Sequence, residues 1–151
     1  ATGFESTDFL APMKIVGREN AELNDVWAHG AEAHRGVAVA GFPNFFMLYG
    51  PNTNLGHNSI IFMIECQANY IAQCVGALQN GKLRYLDVRR DAMERFNRDL
   101  QRDMRKTVWA AGCSSWYKTP DGKVTNNWSG YTAKYWWEMR HPDFAEYALI
   151  G

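Results

Sequence analysis

The residues Gly50-Pro51-Asn52-Thr53-Asn54-Leu55-Gly56-His57-Asn58-Ser59 have the types and spacing best suited to ligand chemistry in this chain. An apolar run, residues 45–49, leads into them, and a second, residues 60–64, follows at once. The pattern reads as buried strand, tight polar turn and buried helix. Gly tolerates positive φ and Pro fixes its own, so Gly50-Pro51 marks the turn. Asn58 or Ser59 can cap the helix. A helix starting there presents free backbone N–H groups and the positive end of its dipole, which suits an anionic or electron-rich ligand. No Lys completes a Walker loop and no dinucleotide fingerprint is present, so nucleotide hydrolysis is not indicated. An ordinary capped strand-to-helix connection would carry the same pattern.

Other reactive side chains form weaker constellations. His29 and His34 are five apart with no Glu directly after the first, which departs from the zincin pattern. His57 has no acid partner in sequence to build a triad. Cys66 and Cys74 would stand about 12 Å apart on one helix, too far for a disulfide, so reduced thiols and a cytoplasmic setting are expected. Trp116 and Trp128, in a polar stretch rich in Ser, Asn and Gly, are candidates either for stacking on a planar ligand or for pinning that loop to the body.

The elements that must position these residues follow from periodicity. Short strands are expected at 12–19, 36–41 and 45–49. The helix after the turn carries Ile60, Ile64, Ala68, Ile71, Val75 and Leu78 on one face, and an all-apolar first turn, Ile61 to Met63, that is expected to be buried. Asn80-Gly81 stops it. A second helix is expected over 87–108, with Val88, Ala92, Phe96, Leu100, Met104 and Val108 as its stripe and a solvated face of interleaved acids and bases. Beyond Trp109 a long loop turns at Pro120-Asp121-Gly122, and residues 131–139 form a short helix or strand packing back on the core. The fold class is α+β: short strands, two long helices and a loop-rich C-terminal region.

At 151 residues and 46% hydrophobic, the chain can bury one core. Sixteen basic and sixteen acidic side chains cancel, so no global field recruits nucleic acid or an anionic membrane. The run at 60–64 is too short to cross a bilayer. The opening Ala1-Thr2-Gly3-Phe4, without an initiator Met, suggests a piece of something longer.

Four stretches together carry a family likeness. They are Ala1-Thr2-Gly3-Phe4; Gly41-Phe42-Pro43-Asn44 running through Gly50-Pro51; Asn58-Ser59 leading into Ile64-Glu65-Cys66-Gln67-Ala68-Asn69-Tyr70-Ile71; and Ser115-Trp116-Tyr117. They resemble the C-terminal part of class B flavoprotein monooxygenases, and within that class the Baeyer-Villiger monooxygenases. The resemblance implies an FAD- and NADPH-dependent enzyme that activates O2 and inserts one oxygen into a small-molecule ketone, or oxygenates a heteroatom. It places Gly50, Pro51 and Asn52 through Asn58 and Ser59 beside the flavin ring. Thr2 and Gly3 would lie where FAD and NADP domains join, and Trp116 would contact the nicotinamide cofactor. In such enzymes the Gly-rich fingerprints, the family signature and the catalytic arginine precede the stretch matched here. No catalytic residue is therefore expected within these 151 residues, which alone are expected to be inactive, to hold FAD weakly and to self-associate through a cut interface. Residues 1–80 would complete an FAD-binding domain and 81–151 a helical and loop region. The loop 118–130 differs from ketone-converting members, which leaves ketone and heteroatom oxidation open. The alternative is a non-catalytic domain that binds a small aromatic ligand or partner protein through Trp116, Trp128 and the cluster Tyr135-Trp136-Trp137.

Overall fold

The computed structural model describes residues 8–56, 59–81, 83–108, 118–119 and 121–150. Its longest element is α2 (Ile60–Asn80), preceded by a single helical turn, α1 (Leu23–Val26). Ser59 caps α2 by accepting the Phe62 N–H at 3.3 Å, and Gly81 ends it by donating to the Ala77 carbonyl at 2.8 Å. Both termini are those the sequence indicates. The buried face is not. Met63, Cys66, Gln67, Tyr70 and Cys74 point inward, whereas Ile61 is 69% exposed and Phe62 and Val75 also face out. Gln67 and Tyr70 are fully buried because each finds hydrogen-bond partners inside, Tyr70 through the Tyr147 hydroxyl at 2.9 Å. Satisfied polar groups thus take the core side, and of the aliphatic stripe expected there Ile71 and Leu78 pack against the core's edge, Ile60 and Ile64 are half-buried, and Ala68 and Val75 face out. By length and composition alone α2 could cross a membrane, a longer apolar segment than residues 60–64 suggested; in this fold it packs on α4 (Thr132–Met139) instead.

The sheet consists of two short strands drawn from distant parts of the sequence. β1 (Tyr85–Val88) pairs antiparallel with β2 (Tyr147–Ile150), placing Tyr85 opposite Ile150 and Val88 opposite Tyr147. β1 occupies residues expected to begin the second helix, so α3 runs Arg90–Met104 rather than 87–108. Ala92, Met93, Asn97, Leu100 and Met104 form its buried face, while Val108 lies beyond the helix and is exposed. The strands expected at 12–19, 36–41 and 45–49 are replaced by single bridges, Val16 with Glu22, His34 with Ala38, and Ala38 with Phe46. Positive φ at Glu19, Asn20, Arg35, Gly36, Gly41, Asn44 and Tyr49 turns the chain too often for a ladder to extend. The α+β class stands, with its strands elsewhere.

Candidate functional site

Residues 50–56 turn between the Ala38–Phe46 bridge and the start of α2. Gly50 is glycine for a packing reason: a Cβ there would strike the Gly36 carbonyl and stand 2.6 Å from the Met47 sulfur. Gly36, at φ +73°, has its own missing Cβ filled by the Thr53 methyl. Pro51, Asn52 and Thr53 are buried, and the Thr53 hydroxyl donates to the Gly50 carbonyl at 2.8 Å. Gln67 on α2 holds the entry to the turn. Its Oε1 accepts the Tyr49 N–H at 2.7 Å, its Nε2 donates to the Tyr135 hydroxyl at 2.9 Å, and that hydroxyl donates to the Arg35 carbonyl at 2.8 Å. Desolvation pushes the Tyr135 pKa upward, so this relay stays neutral.

The middle of the turn is laced to residues 124–128. Asn52 N–H donates to the Thr125 carbonyl at 2.7 Å, and Asn54 N–H to the Asn126 carbonyl at 3.0 Å. Trp128 N–H returns a bond to the Asn54 carbonyl at 2.8 Å. Asn52 Nδ2 reaches the Val124 and Asn127 carbonyls at 2.8 and 3.0 Å, and Asn54 Nδ2 reaches Asn127 Oδ1 at 3.1 Å. Three buried polar atoms along this seam, Asn52 Oδ1, Thr125 Oγ1 and Asn127 Nδ2, have no partner among the described residues. The sequence marks this stretch as part of a long loop with Trp128 as a candidate contact, but not that the loop laces to the turn. Its only local signal is Asn126-Asn127 next to Trp128, polar residues with no reason of their own to be buried.

The predicted site residues thus separate. Gly50, Pro51 and Asn52 form the turn, and Ser59 caps the helix after it. Thr2, Gly3, His57, Asn58 and Trp116 lie outside the described residues. Trp128 is not free to stack on a ligand: it is buried, lies parallel to Phe96 with centroids 6.4 Å apart, and meets Tyr135 edge-on at 5.1 Å. The planar-ligand role entertained for it gives way to the pinning role.

A second polar centre lies under α3. His34, fully buried, has Nε2 at 3.1 Å from Glu146 Oε2 and 3.2 Å from Arg35 Nε; it can donate to the first or accept from the second, not both. Burial holds the His34 pKa below its ordinary value, so the ring is neutral near pH 7. The hydrogen bond from His34, aided by the charge of Arg35, overcomes desolvation and holds the Glu146 carboxyl at about 2. Burial likewise raises the Cys74 thiol to about 11 and the Tyr70 hydroxyl to about 12, leaving both protonated. A neighbouring cavity of about 380 Å³ is walled by Arg35, Arg95, Phe96, Arg102, Lys134 and Glu146, among others. Each of its four basic groups already faces a carboxylate. Its charges therefore serve the fold before any ligand.

No protein-family model matches the chain. It is 42% identical to a Baeyer-Villiger monooxygenase of Streptomyces coelicolor, over 99% of this chain and 29% of the relative. With a Baeyer-Villiger monooxygenase of Pseudomonas aeruginosa it shares 39% identity over 98% of its length and 28% of the relative's. An FAD-binding monooxygenase of Aspergillus niger is 38% identical over the whole chain and 26% of that protein. The fold recurs in the crystal structure of cyclohexanone monooxygenase from Rhodococcus bound to NADP+, with a TM-score of 0.84 at 24% identity over 100% of this chain and 29% of the other. It recurs again, with TM-score 0.84 and 24% identity, in OTEMO complexed with FAD and NADP, over 99% of this chain and 30% of that one. Along essentially its entire length the chain is similar to one part of the FAD-binding, Baeyer-Villiger-type monooxygenases, and it spans less than a third of the curated relatives it matches.

Proposed function

We propose that this chain is the C-terminal part of an FAD- and NADPH-dependent monooxygenase that inserts one oxygen of O2 into a ketone or oxygenates a heteroatom. The observation that carries the reading is 42% identity to a Baeyer-Villiger monooxygenase over 99% of the chain. The residues present fit the cofactor's chemistry. Along the seam beside the turn, Asn127 Nδ2 offers a donor and Thr125 Oγ1 a donor or an acceptor. These suit a polar ring edge that presents both N–H and C=O, as a flavin does. FAD, when bound, supplies the oxygen chemistry with reducing equivalents from NADPH.

In this reading Gly50, Pro51, Asn52, Asn58 and Ser59 lie beside the flavin, Thr2 and Gly3 at the junction of FAD and NADP domains, and Trp116 against the nicotinamide cofactor. The chain's own contribution is placement and field. Ser59 sets the start of α2, whose first N–H groups stabilise negative charge nearby. Gln67 and the 124–128 loop hold the turn from two sides. Residues 1–80 complete an FAD-binding domain and residues 81–151 supply the C-terminal region. The outward face of α2, with Phe46, Leu48, Ile71 and Val75 lining an open groove, packs against the remainder of such an enzyme. Isolated, the 151 residues are inactive and self-associate through that face. The free, buried Cys66 and Cys74 support a reducing, cytoplasmic setting. The binding-domain alternative loses ground because Trp128 and Tyr135, two of its aromatic residues, are core groups.

The test is to purify the protein that contains this chain and follow O2 and NADPH consumption over panels of ketones and of amines and thioethers. Substrate-dependent consumption with bound FAD supports the proposal, and the responding panel assigns ketone or heteroatom. A flavin-loaded protein that consumes no O2 with any substrate rejects it.

A further inference from the structure

We propose that Asn52 is a positioning residue: a clasp that fixes the 124–128 loop against the turn and thereby sets where the turn meets the flavin. The inference rests on the function proposed above and deepens it. Asn52 takes φ +59°, a conformation that Asn adopts more readily than most residues. From there it sends three N–H bonds into three carbonyls of a single short loop: its backbone to Thr125, and its amide to Val124 and Asn127. At 2% exposure, none of these bonds is shared with solvent.

The loop it grips is itself anchored. Trp128 sits in the core against Phe96 and Tyr135, and Gln101 on α3 donates to the same Val124 carbonyl at 2.8 Å. Asn54 adds two backbone bonds and one side-chain bond to the seam, and its Oδ1 accepts the Tyr49 hydroxyl at 2.9 Å. The turn therefore hangs between α2, through Gln67, and the core, through Asn52 and Asn54. Both amide hydrogens of Asn52 are consumed in this grip, so it acts on the flavin's surroundings through the loop.

Two substitutions isolate the clasp. Asn52→Gly keeps the positive φ and the backbone bond but deletes the side-chain donors. Asn52→Asp keeps the shape and sets a carboxylate against carbonyl oxygens. Gln73→Ala is the control, removing a side-chain bond of 2.8 Å to the Arg140 carbonyl that touches neither the turn nor the 124–128 loop. Each is made in the flavin-loaded native protein, with flavin content, the thermal midpoint and the peroxide share measured. The peroxide share is the fraction of turnovers in which NADPH, H+ and O2 give NADP+ and H2O2 without oxygenated product. Asn52→Gly is expected to retain flavin and to raise the ratio of peroxide to product about fivefold, the factor that one net hydrogen bond commands. Asn52→Asp is expected to raise it further, and Gln73→Ala to leave it unchanged. An unmoved ratio in Asn52→Gly, or an equal rise in Gln73→Ala, overturns the positioning role. A native protein without flavin overturns the function on which it rests, a different and separately visible failure.

Discussion

Replacing Glu146 by Gln tests the energetics of the buried charge centre. Glu146 ends the 3₁₀ turn Phe144–Glu146 before β2, with Oε2 at 3.1 Å from His34 Nε2 and 3.3 Å from the Arg35 guanidinium, and Oε1 at 3.6 Å from Arg95. Its carboxyl lies at about 2 instead of 4.5. A folded-state pKa below the unfolded one contributes stability that is complete above the unfolded value and is lost as pH falls through the folded one. The shift corresponds to about 3 kcal/mol at neutral pH. Because the side chain is still 17% exposed, screening reduces the expected contribution to about 2 kcal/mol. Gln keeps the shape and removes the charge, leaving Arg35 with Glu138 and Arg95 with Asp91. Urea unfolding followed by tryptophan fluorescence from about pH 7 down to about pH 3 measures the loss directly. Wild type should exceed Glu146→Gln by about 2 kcal/mol at pH 7, with the gap closing as pH falls below about 4.5. His34 acts in a separate window: its lowered pKa gives stability that is present above pH 6.5 and is lost as pH falls below it, so both proteins should weaken there. Two stability curves that stay parallel between about pH 5 and pH 3 would refute this assignment to Glu146.

Gln67→Leu would remove the acceptor of the Tyr49 N–H in a half-buried site and unlink the buried Tyr135 hydroxyl, costing about 2 kcal/mol by the same unfolding assay; Gln67→Glu, which keeps the acceptor, should cost less near its protonated range. Gly50→Ala should cost about 2 kcal/mol or more, since its methyl meets the Gly36 carbonyl, whereas Gly122→Ala meets open space and bears only its φ of +82°, so calorimetry should rank the two in that order. Ile61→Glu and Val75→Lys, on the outward face of α2, should abolish self-association of the 151-residue chain in sedimentation velocity without lowering its thermal midpoint. Unchanged association would place the contact elsewhere.

What the sequence shows and what it hides divide along contact range. The Gly50-Pro51 turn, the Ser59 cap and the Gly81 stop are local signals, and each stands where its chemistry indicates. The identity of the buried face of α2 is not local, because Gln67 and Tyr70 become good core residues only once Tyr49, Tyr135 and Tyr147 supply their hydrogen bonds. Periodicity ranks them below Ile64 and Val75, and so selects a stripe of which only Ile71 and Leu78 pack against the core. β1 and β2 have four residues each and pair across the whole stretch that holds α3 and α4, so neither stands out in a window of its own length. The seam between Asn52 and residues 124–128 is hidden for the same reason: nothing near Asn52 announces the carbonyls that will receive its amide. The reason for Gly50 is hidden too, since it lies in the Gly36 carbonyl.

The most direct measurement is to capture the native product from the source cells with an antibody against residues 90–104 and read its mass together with its visible absorbance. The account predicts a polypeptide several times heavier than 17.2 kDa that carries a flavin spectrum. A flavin-free product of 17.2 kDa would contradict it.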